Sequence, residues 1–197
     1  MNTKVKYFVD FVKQECQNEG VKCVLKDVSY VKLSPSIRAS GYFDEDEPAL
    51  VCSMKRPDAI EILVHEYGHL TQWRENISLW KAVSVSMPAL DSWLEGEDVA
   101  NIRKHIANCR DLELDNEKRA VKIIKKFDLP INLENYVKKA NAYVHFYNFM
   151  MLSRRWSTPA NSPYKNKAVI KIMSPKFNMK YDKLPKYIED KFREENF

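Results

Sequence analysis

Glycine is scarce, with 4 in 197 residues. That scarcity excludes a Gly-rich phosphate loop, a β-propeller and a collagen-like repeat. Four cysteines stand at positions 16, 23, 52 and 109, and none forms a C-x-x-C pair. Neither a zinc knuckle nor a dithiol redox motif is therefore spelled out, and the cysteines read as small buried apolar residues in a reducing compartment. No run of about 18 apolar residues exists, so no segment is expected to span a membrane. The opening MNTKVKYFVDFVKQECQ lacks the uninterrupted apolar stretch of roughly 7–15 residues that marks a secretory signal. A cytoplasmic protein is expected. There is no internal repeat and no low-complexity tract.

What is present is ordinary globular material. Hydrophobic residues make up 45% and charged residues 30% of the chain, which excludes wholesale disorder. Ten tyrosines, nine phenylalanines and four tryptophans suffice for a sizeable core. The length suits one domain, or two intimate lobes. Charge is unevenly placed. Residues 1–116 hold 14 Lys/Arg against 19 Asp/Glu, and residues 117–197 hold 18 against 8. A basic second part implies one basic surface, usually just a solvated one. Its alternatives are an acidic protein partner or nucleic acid, the latter hinted at by lysine–aromatic pairs such as Tyr164-Lys165 and Lys180-Tyr181.

Apolar spacing predicts a helix over about 3–18, ended by Gly20. Short strands are expected at 21–25, 28–33, 39–43 and 49–54, with turn chemistry at Ser34-Pro35-Ser36 and an acidic turn at 44–48. A helix over about 57–75 follows, with Pro57 near its first turn. Residues 80–93 should be bent or broken by Pro88. Helices are then expected at 97–109, 111–127, 133–156 and 185–195, with 157–164 a loop and 167–174 ambiguous. Strands segregated from helices indicate an α+β fold.

The central helix carries His65-Glu66-Tyr67-Gly68-His69, an H-E-x-x-H pattern. Residues i and i+4 share a helix face, so both imidazoles can reach one metal ion. Glu66 then sits at the edge of that site, where it can take a proton from a metal-bound water. At about 100° per residue, Ile60, Leu63, Tyr67 and Leu70 form an apolar stripe roughly opposite the histidines. The stripe should pack on the sheet while the histidines look into a cleft. Gly68, inside the helix, costs up to about 1 kcal/mol relative to Ala. Close approach of another backbone and simple tolerance both account for it.

A tetrahedral catalytic zinc needs a third protein ligand. His105, His145, Glu113 and Glu117 are the candidates. Glu113, Glu117, Ala120, Ile124 and Phe127 fall on one helix face whose C-terminal end is apolar. Two carboxylates on an inward face need a cation or strong donors, and they suit a ligand plus a partner that orients a metal-bound histidine. The preference of helix N-termini for acidic residues accounts for part of this pattern. Lys118, Lys122, Lys125 and Lys126 fit the solvent side of the same helix.

H-E-x-x-H followed on a later helix by E-x-x-x-[DEN]-x-x-A resembles the gluzincin zinc metallopeptidases. The context of Gly41-Tyr42-Phe43, an apolar strand and the His65 helix is similar to their compact intracellular members. The longer pattern through Trp93-Leu94, the Glu113 segment and Ala140-Asn141-Ala142-Tyr143 resembles uncharacterised bacteriophage-encoded metallopeptidases; a phage origin would place the protein in the host cytoplasm. The resemblance implies a zincin-like fold over 1–197. A lobe at 1–80 would hold a small twisted sheet and the active-site helix, and a mostly helical lobe at 81–197 would supply the third ligand. It implies Zn²⁺ held by His65, His69 and Glu113, with Glu66 as general base and Glu117 beside a ligand histidine. Glu117 stands where Asp or Asn is frequent, and the reverse assignment, with Glu117 as ligand, stays open. Tyr143, His145 and Tyr147 are candidates to stabilise the developing oxyanion, though aromatic core accounts for each of them as well. The implied activity is hydrolysis of a protein or peptide substrate. The rival reading is a catalytically idle zincin-fold binding protein whose basic half contacts nucleic acid or an acidic protein.

Overall fold

The computed structural model describes residues 2–33, 37–158 and 160–197. The anticipated turn at Ser34-Pro35-Ser36 lies outside them. The fold is α+β, with a small mixed sheet and a mostly helical remainder. Two compact units are distinguished: Met1–Asn76 with Arg119–Ile131, and Ile77–Lys118 with Asn132–Phe197.

In the first unit, helix α1 (Thr3–Asn18) starts where the Asn2 side chain accepts from Lys4 N at 2.8 Å. It buries Val5, Phe8, Val12 and Cys16, the three- and four-residue spacing of one face. Gly20 takes the left-handed φ of +69°, and the chain reverses so that Val21 N donates to Cys16 O at 2.7 Å. Strands β1 (Lys22–Lys26), β2 (Val31–Lys32), β3 (Arg38–Ala39), β4 (Gly41–Asp44) and β5 (Ala49–Ser53) follow. The three-stranded sheet has the order β1-β5-β4, with β1 parallel and β4 antiparallel to the central β5. β2 and β3 pair separately. The strand anticipated over 28–33 is thus only two residues long. Val28 N bonds Lys26 O, and Lys55 N bonds Val28 O, so a local turn diverts the chain before it can pair further. Val28 and Tyr30 stay exposed, with the Arg56 guanidinium 5.1 Å over the Tyr30 ring.

Helix α2 (Ala59–Arg74) packs on β4 and β5. Helix α4 (Ile102–Lys126) is a single helix of 25 residues, where two had been expected over 97–109 and 111–127. Asn108-Cys109-Arg110 contains no glycine or proline to interrupt it. Its end beyond Lys118 belongs to the first unit. There Arg119 donates to Thr71 Oγ1 at 3.3 Å and pairs with Glu75 at 2.8 Å. Phe127 joins an aromatic cluster, its ring centroid 5.0 Å from that of Phe8 and 4.8 Å from that of Phe11. Phe8 and Phe11 in turn meet Tyr67 of α2 edge-on. Cys16 and Cys52 are buried and Cys23 is half-buried. Burial raises the Cys52 thiol pKa, while Cys16 is raised first by its hydrogen bond to Cys23 and then by burial.

The second unit begins with helix α3 (Ser78–Leu94), which runs unbroken through Pro88. Pro88 is exposed, so the lost N–H bond falls on the solvent side, while buried Ser86, Leu90 and Trp93 hold the opposite face. Helix α5 (Leu133–Ser153) starts on an Asn132 cap and stops at Arg154, which has φ +47°. Helices α6 (Lys167–Ile172) and α7 (Lys186–Glu194) close a core around Phe146, Phe149, Ile170 and Phe192. Among the described residues no helix is long and apolar enough to cross a membrane.

Phe127 is 9% exposed, and truncating such a buried ring typically costs about 3–5 kcal/mol. Phe127→Ala should therefore lower urea-measured stability by about 3 kcal/mol or more. A loss under 1 kcal/mol would show that the aromatic cluster is not a main support of this unit.

Candidate metal centre

α2 is buried on several sides: Leu63, Val64, Tyr67 and Leu70 are buried, and so are Glu66, Gly68, Thr71 and Gln72. His65 and His69 are half-buried one turn apart, and their Nε2 atoms lie 3.2 Å from each other. His69 Nδ1 sits 2.9 Å from Gln72 Oε1. With that carbonyl as acceptor, Nδ1 carries the proton and Nε2 keeps its lone pair, which is the metal-binding tautomer. Gln72 was not anticipated, although its place three residues after His69 on one helix was a readable signal. The His69 pKa falls from 6.5 to about 3, first through burial and then through neighbouring His65. Two bare Nε2 lone pairs this close repel, unless one Nε2 carries a proton and donates it to the other or both face a cation. In a tetrahedral site with Zn–N of about 2.0–2.1 Å, the edge between two nitrogens is about 3.3 Å. The observed separation fits such an ion.

Glu66, 7% exposed, follows His65. A Cβ built on Gly41 of β4 would stand 2.8 Å from Ile62 Cγ2, 3.0 Å from Glu66 Cγ and 3.0 Å from Val51 O. Only glycine lets β4 lie this near Glu66 without a shift. The charge of Glu66 also helps raise the Cys52 thiol, after burial.

On α4, Glu113, Glu117, Ala120, Ile124 and Phe127 are all buried, as their shared face requires. Lys118, Lys122, Lys125 and Lys126 are exposed. His65, His69 and Glu113 form one group of candidate ligands, in which each offers an atom within 4.8 Å of the other two. Glu117, fully buried, accepts from the Tyr164 hydroxyl at 2.5 Å. The Tyr164 ring stacks on Tyr143, and the Tyr143 and Tyr147 hydroxyls lie 3.1 Å apart. Burial, followed by the nearby acids and phenols, raises the Tyr147 and Tyr164 pKa values well above 10.

The remaining histidines lie elsewhere. His105 Nδ1 is 3.2 Å from Ser86 Oγ, which also accepts from Asn108. His145 is 0% exposed and stacks on Tyr181 with centroids 5.3 Å apart. On the same face of α5, Asn141 Oδ1 accepts from the Tyr181 hydroxyl and Asn148 donates to Tyr181 O. In the basic C-terminal stretch, Lys186, Lys191 and Arg193 of α7 pair with acids of their own helix.

Comparison of the chain with protein-family models, with curated proteins and with solved structures finds no match. The chemistry of the site therefore rests on its own residues.

Burial first, and Arg110 second, lower the His145 pKa from 6.5 to about 4. The native imidazole then stays neutral while the unfolded one takes a proton, so the unfolded state gains stability as pH falls from about 6.5 towards 4. A shift of this size is worth about 3 kcal/mol. In metal-free protein, His145→Gln should lose about 2–3 kcal/mol less stability than wild type between pH 7.5 and pH 4.5, measured by urea unfolding. Equal losses in the two proteins would contradict the burial of a neutral imidazole.

Proposed function

We propose that the protein is a zinc-dependent metallopeptidase of the zincin type, hydrolysing peptide bonds of a protein or peptide substrate. The observation that carries this reading is the grouping of His65, His69 and Glu113 on the H-E-x-x-H and later-glutamate pattern, with Glu66 between the two histidines in sequence. Two imidazole nitrogens and one carboxylate oxygen suit zinc and leave a fourth position for water or substrate. The half-buried histidines agree with that use better than a sealed structural site would.

When bound, the cation would supply Lewis acidity, lowering the pKa of water and polarising the scissile carbonyl. The chain's own groups do the rest. Glu66 takes the proton of the attacking water and hands it to the leaving nitrogen. Its enclosure against Gly41 limits the positions its carboxylate can adopt. Gln72 holds the His69 ring in the ligating tautomer. Of the three candidate oxyanion donors, Tyr143 is the best suited, since Tyr147 is buried. Tyr143 keeps partial exposure and stacks on Tyr164, which bonds Glu117. His145 is fully enclosed and stacked on Tyr181.

The rival, a catalytically idle binding protein, gains nothing from α7, where the cations named above are matched by acids one turn away. One experiment separates the two. The wild-type chain should bind one zinc ion and cleave unfolded casein in a chelator-sensitive manner. Glu66→Gln should keep the zinc stoichiometry while lowering kcat by about 10²–10⁴-fold. Cleavage that survives chelation, or is unchanged in Glu66→Gln, would contradict the assignment. Zinc binding without cleavage of casein or of a diverse peptide library would favour the idle protein.

A further inference from the structure

Tyr164 lies in the irregular stretch between α5 and α6, yet it is held from several sides. Two residues on, Asn166 caps α6 by accepting from Ala168 N and Val169 N at 3.0 Å each. The Tyr164 ring stacks on Tyr143 of α5, with centroids 4.4 Å apart and planes 27° apart. Its hydroxyl donates to Oε1 of Glu117 at 2.5 Å. Buried phenols usually seek a hydrogen-bond partner, and here the partner is a fully buried carboxylate one helical turn from Glu113.

Two carboxylates one turn apart on an inward face are rivals for a single cation. One with an oxygen tied to a phenol cannot swing freely to ligate. We propose that Tyr164 is a positioning residue of the metal centre: its hydroxyl holds Glu117 in the rotamer that leaves Glu113 as the carboxylate ligand. The proposal rests on the metal site of the preceding reading and deepens it, since it says which glutamate binds and what keeps the other away. Hydrogen bonds that orient groups around a metal are worth about 10–100-fold in affinity.

The test is Co²⁺ titration of the metal-free full-length chain, followed by its visible d–d spectrum. Tyr164→Phe keeps the ring and removes only the hydroxyl. Wild type should bind one Co²⁺, and Tyr164→Phe should bind it about 10–100-fold more weakly with an altered band shape, as Glu117 gains access to the ion. In a Glu117→Gln background the same tyrosine change should matter much less, because the two residues act as one unit. Unchanged affinity and spectrum in Tyr164→Phe would overturn the proposal, and so would an equal loss in both backgrounds. Should Tyr164→Phe fold poorly, Glu117→Gln alone decides: it should keep the wild-type band shape, and loss of that band would make Glu117 the ligand. No Co²⁺ binding by wild type would instead overturn the metal reading, and this proposal with it.

Discussion

Two imidazoles one turn apart on α2 point their Nε2 atoms at each other across 3.2 Å. Gln72 accepts from the far nitrogen of His69, which leaves its near nitrogen basic. Burial keeps that ring neutral well below the usual histidine range. Between the two Nε2 atoms one proton makes a hydrogen bond, and a cation in its place can take both lone pairs. The rest of the site can be understood from this constraint. Glu66 is enclosed beside Gly41 of β4, and Glu113 offers a carboxylate oxygen within 4.8 Å of a nitrogen of each histidine.

α4 separates its own charges by face. Its inward face begins with two carboxylates and ends in Ala120, Ile124 and Phe127, all buried. Its outward face carries Lys118, Lys122, Lys125 and Lys126 in solvent, and the Lys126 ammonium lies 5.1 Å over the Phe11 ring. The change from an acidic first part of the chain to a basic second part therefore falls inside one helix. Within that helix it follows the buried acids of one face and the exposed lysines of the other. Burying Glu117 is tolerable because a phenol donates to it.

Much of this was legible in the residues because it depends on local periodicity. The limits of α1, the turn at Gly20 and the buried face of α4 follow from spacing alone. The H-E-x-x-H pairing is helical geometry and nothing more. What was hidden depends on tertiary packing. Pro88 does not break α3, because buried Leu90 and Trp93 hold the helix past it. The 28–33 strand is cut short by a turn at Val28 that composition does not announce. In the sequence, Tyr164 is one of several aromatics beside a lysine. Its bond to Glu117 spans 47 positions of chain, and no local pattern encodes it.

The central claim is that imidazole nitrogen and carboxylate oxygen, rather than the cysteine thiols, hold the metal. X-ray absorption of the zinc-loaded wild-type chain tests it directly. The zinc should show two imidazole nitrogens and carboxylate or water oxygens at about 2.0–2.2 Å, with no sulfur at about 2.3 Å. A sulfur shell, or a zinc environment without imidazole scattering, would contradict it.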